Sequence, residues 1–164
     1  MHLDLIEQSR ALATRERGKP KQASLRRATS AVYYALFHLL SGEASRRVLP
    51  RGLKRLGPRL ARAVTHENVR RTAVAIASGG TIPLLGSVSI PSGLDLFARL
   101  VLDLHEMRQF ADYDLTRRFT RGEVLGFIER AEEAIAVWRS ARSTDAGKLY
   151  LLLLLVYGNL RDRS

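Results

Sequence analysis

The stretch RRATSAVYYALFHLL, residues 26–40, decides the fold. Its apolar residues recur with the period of a helix that is buried on most of its surface. At 100° per residue, Arg27, Tyr34 and His38 fall within about 40° of one another. Three side chains able to form hydrogen bonds therefore share one stripe of an otherwise apolar helix. The stripe predicts either a polar seam inside a helical core or part of a binding site.

Helical patterns continue on both sides of this stretch. An amphipathic segment at residues 3–17 precedes it and ends before a Gly-Lys-Pro sequence. Ser24 is placed to cap the second helix, which we expect to run to about residue 40 and to end at Ser41 and Gly42. Arg27, Tyr34 and His38 would then lie on one helix of about five turns.

The middle of the chain is more broken. Residues 46–58 carry two prolines and two glycines in a basic context, and they predict a loop. A short helix is expected at residues 59–77. Residues 78–93 contain four glycines and two prolines, and they predict an exposed, irregular connection with a short extended piece at residues 86–90.

Helical signals return in the second half. Apolar residues recur at helical spacing from Leu94, and Thr120 and Glu123 form a capping box that opens a further helix. A last, strongly apolar helix is expected at residues 145–160. No stretch alternates as a strand would. The chain is therefore predicted to be one all-α domain, residues 1–164, in which five or six helices form an antiparallel bundle.

Composition limits the chemistry. The chain of 164 residues has no cysteine, and its four histidines do not have the spacing of a helical metal site, so we expect neither a metal nor another cofactor. The start of the chain lacks the apolar core of a secretory signal, and the longest apolar run has nine residues, which is too short to span a bilayer. We expect a cytoplasmic protein with no membrane partner.

Charge is distributed unevenly. The net charge is +11, from 27 basic and 16 acidic residues. Residues 10–71 contain 16 of the basic residues and only three acids, whereas the rest of the chain is nearly neutral. Such asymmetry favours a polyanionic partner, although an arginine-rich surface can also be only a solvated one. The candidate nucleic-acid contacts are Arg46, Arg47, Arg51, Lys54 and Arg55.

Three segments in order resemble one known family. The pattern R-x-x-x-A-Y-Y-A-x-F-H resembles the second helix of the HEPN superfamily, helical domains of nucleotide-binding type. The residues that carry the match, with Val32 inside it, are Ala31, Tyr33, Tyr34, Ala35, Phe37 and His38. THENVRR, residues 65–71, resembles the H-x-x-V segment that follows. MRQFADYD, residues 107–114, resembles the R-x-x-A-D-Y-D signature. The resemblance covers about residues 3–138 and implies a HEPN-like fold.

The same resemblance bears on catalysis. Nuclease members of that superfamily use an arginine followed after four to six residues by a histidine, because RNA cleavage needs a proton-transfer group and a cation beside the phosphorane. Here Arg108 is present, but Tyr113 stands where the histidine is expected. A phenol with a pKa of about 10 is a poor base at neutral pH. The resemblance therefore implies a branch whose nuclease motif is degenerate.

A second pair has similar spacing. Six residues separate Arg59 from His66, outside the motif position of the family. Arginine is so abundant here that such spacings arise by chance, and a surface helix explains the pair equally well. Arg108, Tyr113, Arg59 and His66 are thus the catalytic candidates, and none is assigned. Arg108 and Asp112, four positions apart on one helix face, have the spacing of an ion pair, which could either tie helices together or belong to a partner or ligand site built around Arg108.

Three functions follow as expectations. The first is a non-catalytic HEPN-type protein that binds RNA, a nucleotide or a partner protein, in a polar seam formed by Arg27, Tyr34, His38, Arg108 and Asp112. The second is a metal-independent ribonuclease toxin that uses Arg59 or Arg108 with His66 or His38. The third is a purely structural interaction module.

The resemblance also implies partners. Members of the family form homodimers and occur in toxin-antitoxin or nucleotidyltransferase-linked systems, so we expect a homodimer and a nucleotidyltransferase or antitoxin-like partner. The apolar helix at residues 145–160 could pack on its own core or against a second subunit.

Overall fold

The protein is described from a computed structural model that covers residues 1–79, 81–82, 86–87 and 89–160. The fold class predicted from the sequence, an all-α helical bundle, is confirmed. The described residues form seven α-helices, where five or six were expected. They are α1 (His2–Ala13), α2 (Gln22–Arg47), α3 (Gly57–Ala63), α4 (His66–Ala77), α5 (Ser92–Tyr113), α6 (Arg121–Ala141) and α7 (Asp145–Val156).

Short elements join these helices. A 3-10 helix at Arg51–Leu56 precedes α3, and another at Tyr157–Asn159 follows α7. Two strands of two residues each, β1 (Thr81–Ile82) and β2 (Gly86–Ser87), pair antiparallel. They belong to the connection predicted at residues 78–93, of which residues 80, 83–85 and 88 lie outside the described part of the chain.

Two helix boundaries differ from the expected ones for physical reasons. Ser24 does not cap α2, because its hydroxyl donates instead to Glu16 at 2.8 Å from a position inside the helix. Ser41 and Gly42 do not end it either, and α2 continues for five more residues. That extension is held by ion pairs of the buried Glu43 with Arg46 and Arg47.

Two other elements are shorter than expected. The first helix ends at Ala13, and the hydroxyl of Thr14 donates to the carbonyl of Arg10 at 2.8 Å. The helix expected at residues 59–77 is two helices, because Thr65 adopts an extended conformation and its side chain caps α4 by accepting from the amide of Asn68 at 3.1 Å. Because Thr65 caps the start of a new helix, the backbone hydrogen bonds of α3 do not continue into α4.

Contacts divide the chain into two compact units. Unit 1 comprises Met1–His38 and Leu100–Ile135. Its core is lined by apolar faces of α1, α2, α5 and α6, including the fully buried Tyr33. The hydroxyl of Ser9 on α1 donates to the carbonyl of Ala28 on α2 at 2.7 Å. The capping box predicted at the start of α6 is confirmed, since Thr120 and Glu123 each accept from the amide of the other.

Unit 2 comprises Leu39–Arg99 and the described residues from Ala136 onward. Phe97, Trp138 and Tyr150 pack together in its core, with ring centroids 5.0 to 5.6 Å apart. The apolar helix α7 packs on α4 within this unit, where the side-chain amide of Asn68 donates to the carbonyl of Leu154 at 3.1 Å. Most of the apolar surface of α7 is therefore buried against the core of its own chain, which is one of the two packing partners expected for this helix. Leu152 stays exposed.

Candidate functional site

Arg108 is the centre of the polar group in unit 1. Its side chain is almost wholly buried on α5, yet its guanidinium lies 5.7 Å from the ring centroid of Tyr34 and 5.4 Å from that of Tyr113. Nη2 also donates to the phenol oxygen of Tyr34 at 3.2 Å. Two aromatic rings thus hold one cation in place by electrostatic attraction to their faces.

A carboxylate completes this group. Asp112 stands one helical turn after Arg108, and its Oδ2 lies 2.7 Å from Nε of the arginine. Its Oδ1 accepts a hydrogen bond from the hydroxyl of Ser30 on α2. Burial opposes the charge of Arg108, but the hydrogen bond to Tyr34 and the charge of Asp112 raise its pKa above the ordinary value. The predicted Arg108–Asp112 ion pair is therefore present, and Arg108 is charged at all physiological pH values.

Arg26 fixes the end of the helix that carries Arg108. Its guanidinium donates to four backbone carbonyls at distances of 2.6 to 3.1 Å. These carbonyls, at the end of α5 and just beyond it, belong to Phe110, Ala111, Asp114 and Arg117. Carbonyls at a helix C-terminus have no partner inside the helix, and a cation there also opposes the negative end of the helix dipole. The sequence did not single out Arg26, because its partners lie more than 80 residues away.

An open cleft lies over this group, and we call it the α2/α5 cleft. It has a volume of about 470 Å³. Three arginines and one carboxylate line it, so its net charge is positive. The polar and aromatic residues of its lining are Arg26, Arg27, Tyr34, Arg108, Asp112 and Tyr113.

The expectation that the whole polar stripe forms a seam inside the helical core is wrong for Arg27. Arg27 is exposed, whereas Tyr34 and His38, which share its stripe of α2, are half-buried. A long charged side chain at the solvent end of the stripe keeps its head group in water. No hydrogen bond or ion pair holds the Arg27 guanidinium within the described residues, so this cation is available at the rim of the cleft.

A second concavity lies on the other side of Arg27 and Tyr34, and we call it the α1/α2 cleft. It has a volume of about 330 Å³, and α1 contributes Leu5 and Gln8 to it. His38 also lines it, and the imidazole ring lies 6.3 Å from the ring of Tyr34, centroid to centroid. Burial lowers the pKa of His38, so its imidazole is neutral at pH 7. No sequence pattern pointed to Gln8, which comes from a different helix.

The basic residues predicted to bind nucleic acid belong to unit 2 and divide into two groups. Arg46 and Arg47 lie in the last turn of α2, not in a loop, and pair with Glu43 at 3.2 and 2.5 Å. Arg142 adds a third cation 3.6 Å from the same carboxylate. Burial raises the pKa of Glu43, but hydrogen bonds from Arg47 and Arg46 outweigh it and hold this pKa below the ordinary value. These arginines therefore stabilise the helix end.

The remaining three predicted contacts form an exposed basic surface. Arg51, Lys54 and Arg55 lie on the 3-10 helix Arg51–Leu56, which replaces the expected loop, and all three are exposed. Arg59 and Arg62 on α3 are exposed as well. We call these five residues the 51–62 basic surface. The sequence between its ends has no acid, and no ion pair joins any of the five to a carboxylate within the described residues.

Two of the other catalytic candidates, Arg59 and His66, lie apart from the Arg108 group in the chain, whereas Tyr113 belongs to that group. Arg59 is exposed on α3, and His66 is half-buried as the first residue of α4. The extended cap Thr65 separates the two helices. Tyr113 is 70% exposed at the end of α5, with its ring against Arg108. The structure thus brings Arg108 and Tyr113 together and puts Arg59 and His66 on separate helices.

Two further features concern metals and membranes. Within the part of the chain that the structure describes, no three His, Asp or Glu side chains are grouped as metal ligands. Among those same residues, no helix combines the length and the apolar character needed to cross a membrane.

Comparisons of the chain with known protein families, with curated proteins and with solved structures found no match.

Proposed function

We propose that this chain is a HEPN-type protein that binds RNA without cleaving it. The observation that carries the proposal is the α2/α5 cleft, where Arg108 is held between two tyrosine rings beside the exposed Arg27. Arginine binds phosphate through paired N–H donors, and tyrosine rings are surfaces on which unpaired bases stack. A positively charged cleft lined with both suits a single-stranded polyanion.

The 51–62 basic surface supports the same ligand independently. Five exposed cations with no acid in the intervening sequence make a phosphate-binding surface that does not depend on base sequence. Arg46 and Arg47 also pair with Glu43, so we assign the phosphate contacts of this proposal first to the five residues of the 51–62 basic surface.

The absence of cleavage is proposed from the chemistry of the motif. A phenol, Tyr113, stands where the family's nuclease members have histidine, and Arg108 is ion-paired with Asp112. Asp112 offsets part of the positive charge of Arg108, so this arginine stabilises a developing negative charge less well than an unpaired arginine does. The expected homodimer and nucleotidyltransferase or antitoxin-like partner remain part of this proposal.

One observation favours a second candidate, the metal-independent ribonuclease. His38 is neutral at pH 7 and able to accept a proton, and its ring packs near Tyr34, which bonds Arg108. A base and a cation linked through one tyrosine are the groups that RNA cleavage needs.

The test combines binding and cleavage. Single-stranded RNA is titrated with the protein at low and moderate salt, and the same RNA is analysed on a gel after incubation. We expect binding that weakens steeply with salt, because neutralised phosphates release counterions, and we expect intact RNA. Cleavage by wild type that is lost in His38→Ala or Arg108→Ala would support the ribonuclease instead. No binding at low salt would contradict both candidates.

A further inference from the structure

The α1/α2 cleft has the size and lining of a pocket for one flat ring. Its volume of about 330 Å³ is at the lower end of the range for small-molecule pockets, roughly 300–1,000 Å³. Ala31, a small and buried residue of α2, also lines it. Its lining is partly apolar, from Leu5, and partly aromatic, from Tyr34 and His38.

Polar groups in the same cleft match the edge of a base. The side-chain amide of the exposed Gln8 offers both a donor and an acceptor, and the neutral imidazole of His38 also has one of each. The Watson–Crick edge of a nucleobase presents donors and acceptors side by side. Stacking on an aromatic ring combined with hydrogen bonds to this edge is the usual way in which proteins bind unpaired bases.

Arg27 connects this pocket with the proposed phosphate site. Arg27 and Tyr34 line both clefts, so a ligand entering one passes the same cation as a ligand in the other. In a nucleotide chain each base is attached to a backbone that carries phosphates on both sides. A cation at the rim shared by the two clefts is therefore placed for a phosphate next to a bound base.

We infer that the α1/α2 cleft binds one unpaired base of the RNA, with Gln8 and His38 at its edge and Arg27 at the adjoining phosphate. The inference rests on the proposed RNA binding and adds the feature that is recognised: a single-stranded segment with an accessible base, not a duplex. In this proposal, Arg108 and the 51–62 basic surface interact with phosphates and do not distinguish a base from its absence.

The experiment separates bases from phosphates. Two probes are titrated at low salt: a five-uridine RNA, and a sugar-phosphate backbone of the same length and charge that carries no bases. We expect wild type to bind the uridine probe about tenfold more tightly, because a base stacked on an aromatic ring adds a contact that the base-free backbone lacks. Gln8→Ala and His38→Ala should each reduce this ratio. Gln109→Ala, an exposed glutamine of α5 outside both clefts, is the matched control and should keep it.

Each result has a distinct meaning. Equal binding of the two probes by wild type, or a ratio unchanged in both Gln8→Ala and His38→Ala, would overturn the base pocket and leave RNA binding intact. If neither probe binds wild type at low salt, the proposed function fails and the pocket assignment fails with it. Because Gln8 is exposed, its variant should stay folded even if His38→Ala does not, and helical circular dichroism checks both.

Discussion

Nη2 of Arg108 on α5 donates a hydrogen bond to the phenol oxygen of Tyr34 on α2 across 3.2 Å. A bond from a charged donor contributes more than a neutral one, typically about 1.5–3 kcal/mol. We therefore expect Tyr34→Phe, which keeps the ring, to lower the free energy of unfolding by about 1–2 kcal/mol. Tyr113→Phe is the control, because that residue is 70% exposed. Equal effects of the two substitutions in urea unfolding would show that the bond is not formed.

Substitution of the neighbouring residues Arg26 and Arg27 should affect the stability of the protein to very different extents. Arg26→Ala removes four hydrogen bonds to carbonyls at the end of α5, so we expect it to lower the free energy of unfolding by about 2–4 kcal/mol. Arg27→Ala removes an exposed side chain and should change stability by less than about 0.5 kcal/mol. Thermal unfolding of the two variants measures this difference, and comparable melting temperatures would count against the role of Arg26.

Glu43 should make the stability of the protein depend on pH. Its pKa is depressed in the folded state, so it contributes stability above the ordinary carboxyl pKa, and this contribution is lost as the pH falls through the folded value. Glu43→Gln should cost about 1–3 kcal/mol at pH 7 and progressively less below about pH 4.

The control for that experiment is Glu133→Gln, which changes an exposed glutamate on α6. Denaturant unfolding at several pH values should give parallel curves for this variant and wild type. A constant difference between Glu43→Gln and wild type from about pH 7 to about pH 3 would contradict the ion-pair account.

Gly147 on α7 has no room for a side chain. A Cβ atom there would overlap the carbonyl oxygen of Ala141, so the backbone would have to move. We expect Gly147→Ala to destabilise the protein by about 2–3 kcal/mol. Gly126→Ala on α6 meets no atom within 4 Å and should stabilise by up to about 1 kcal/mol through helix propensity. Destabilisation by both substitutions would contradict this description.

Features that depend on neighbouring residues in the chain were predictable from the sequence. The capping box of Thr120 and Glu123 and the ion pair of Arg108 with Asp112 each need residues only three or four positions apart. Their geometry follows from the helical repeat, and both are confirmed. The apolar period likewise established the helical class, because each helix buries one face.

Features that depend on distant residues were missed. Gly42 suggested the end of α2, and no sequence pattern indicated that Arg142, far along the chain, would lie 3.6 Å from the buried Glu43 just beyond that glycine. The role of Arg26 depends on carbonyls 84 to 91 residues away, and no sequence pattern marks them. The sequence grouped Arg27 with the buried stripe because periodicity indicates the direction of a side chain but not the depth of its head group.

The central claim, RNA binding at the α2/α5 cleft, is tested most directly by the salt dependence of binding by wild type and Arg27→Ala. Affinity for a short single-stranded RNA is measured at about 50 and 200 mM salt, and the slope of log affinity against log salt is compared. We predict tight binding by wild type and a slope for Arg27→Ala that is smaller by about 0.7, because the variant neutralises one phosphate fewer. Binding absent at about 50 mM salt, or identical slopes for the two proteins, would contradict the claim.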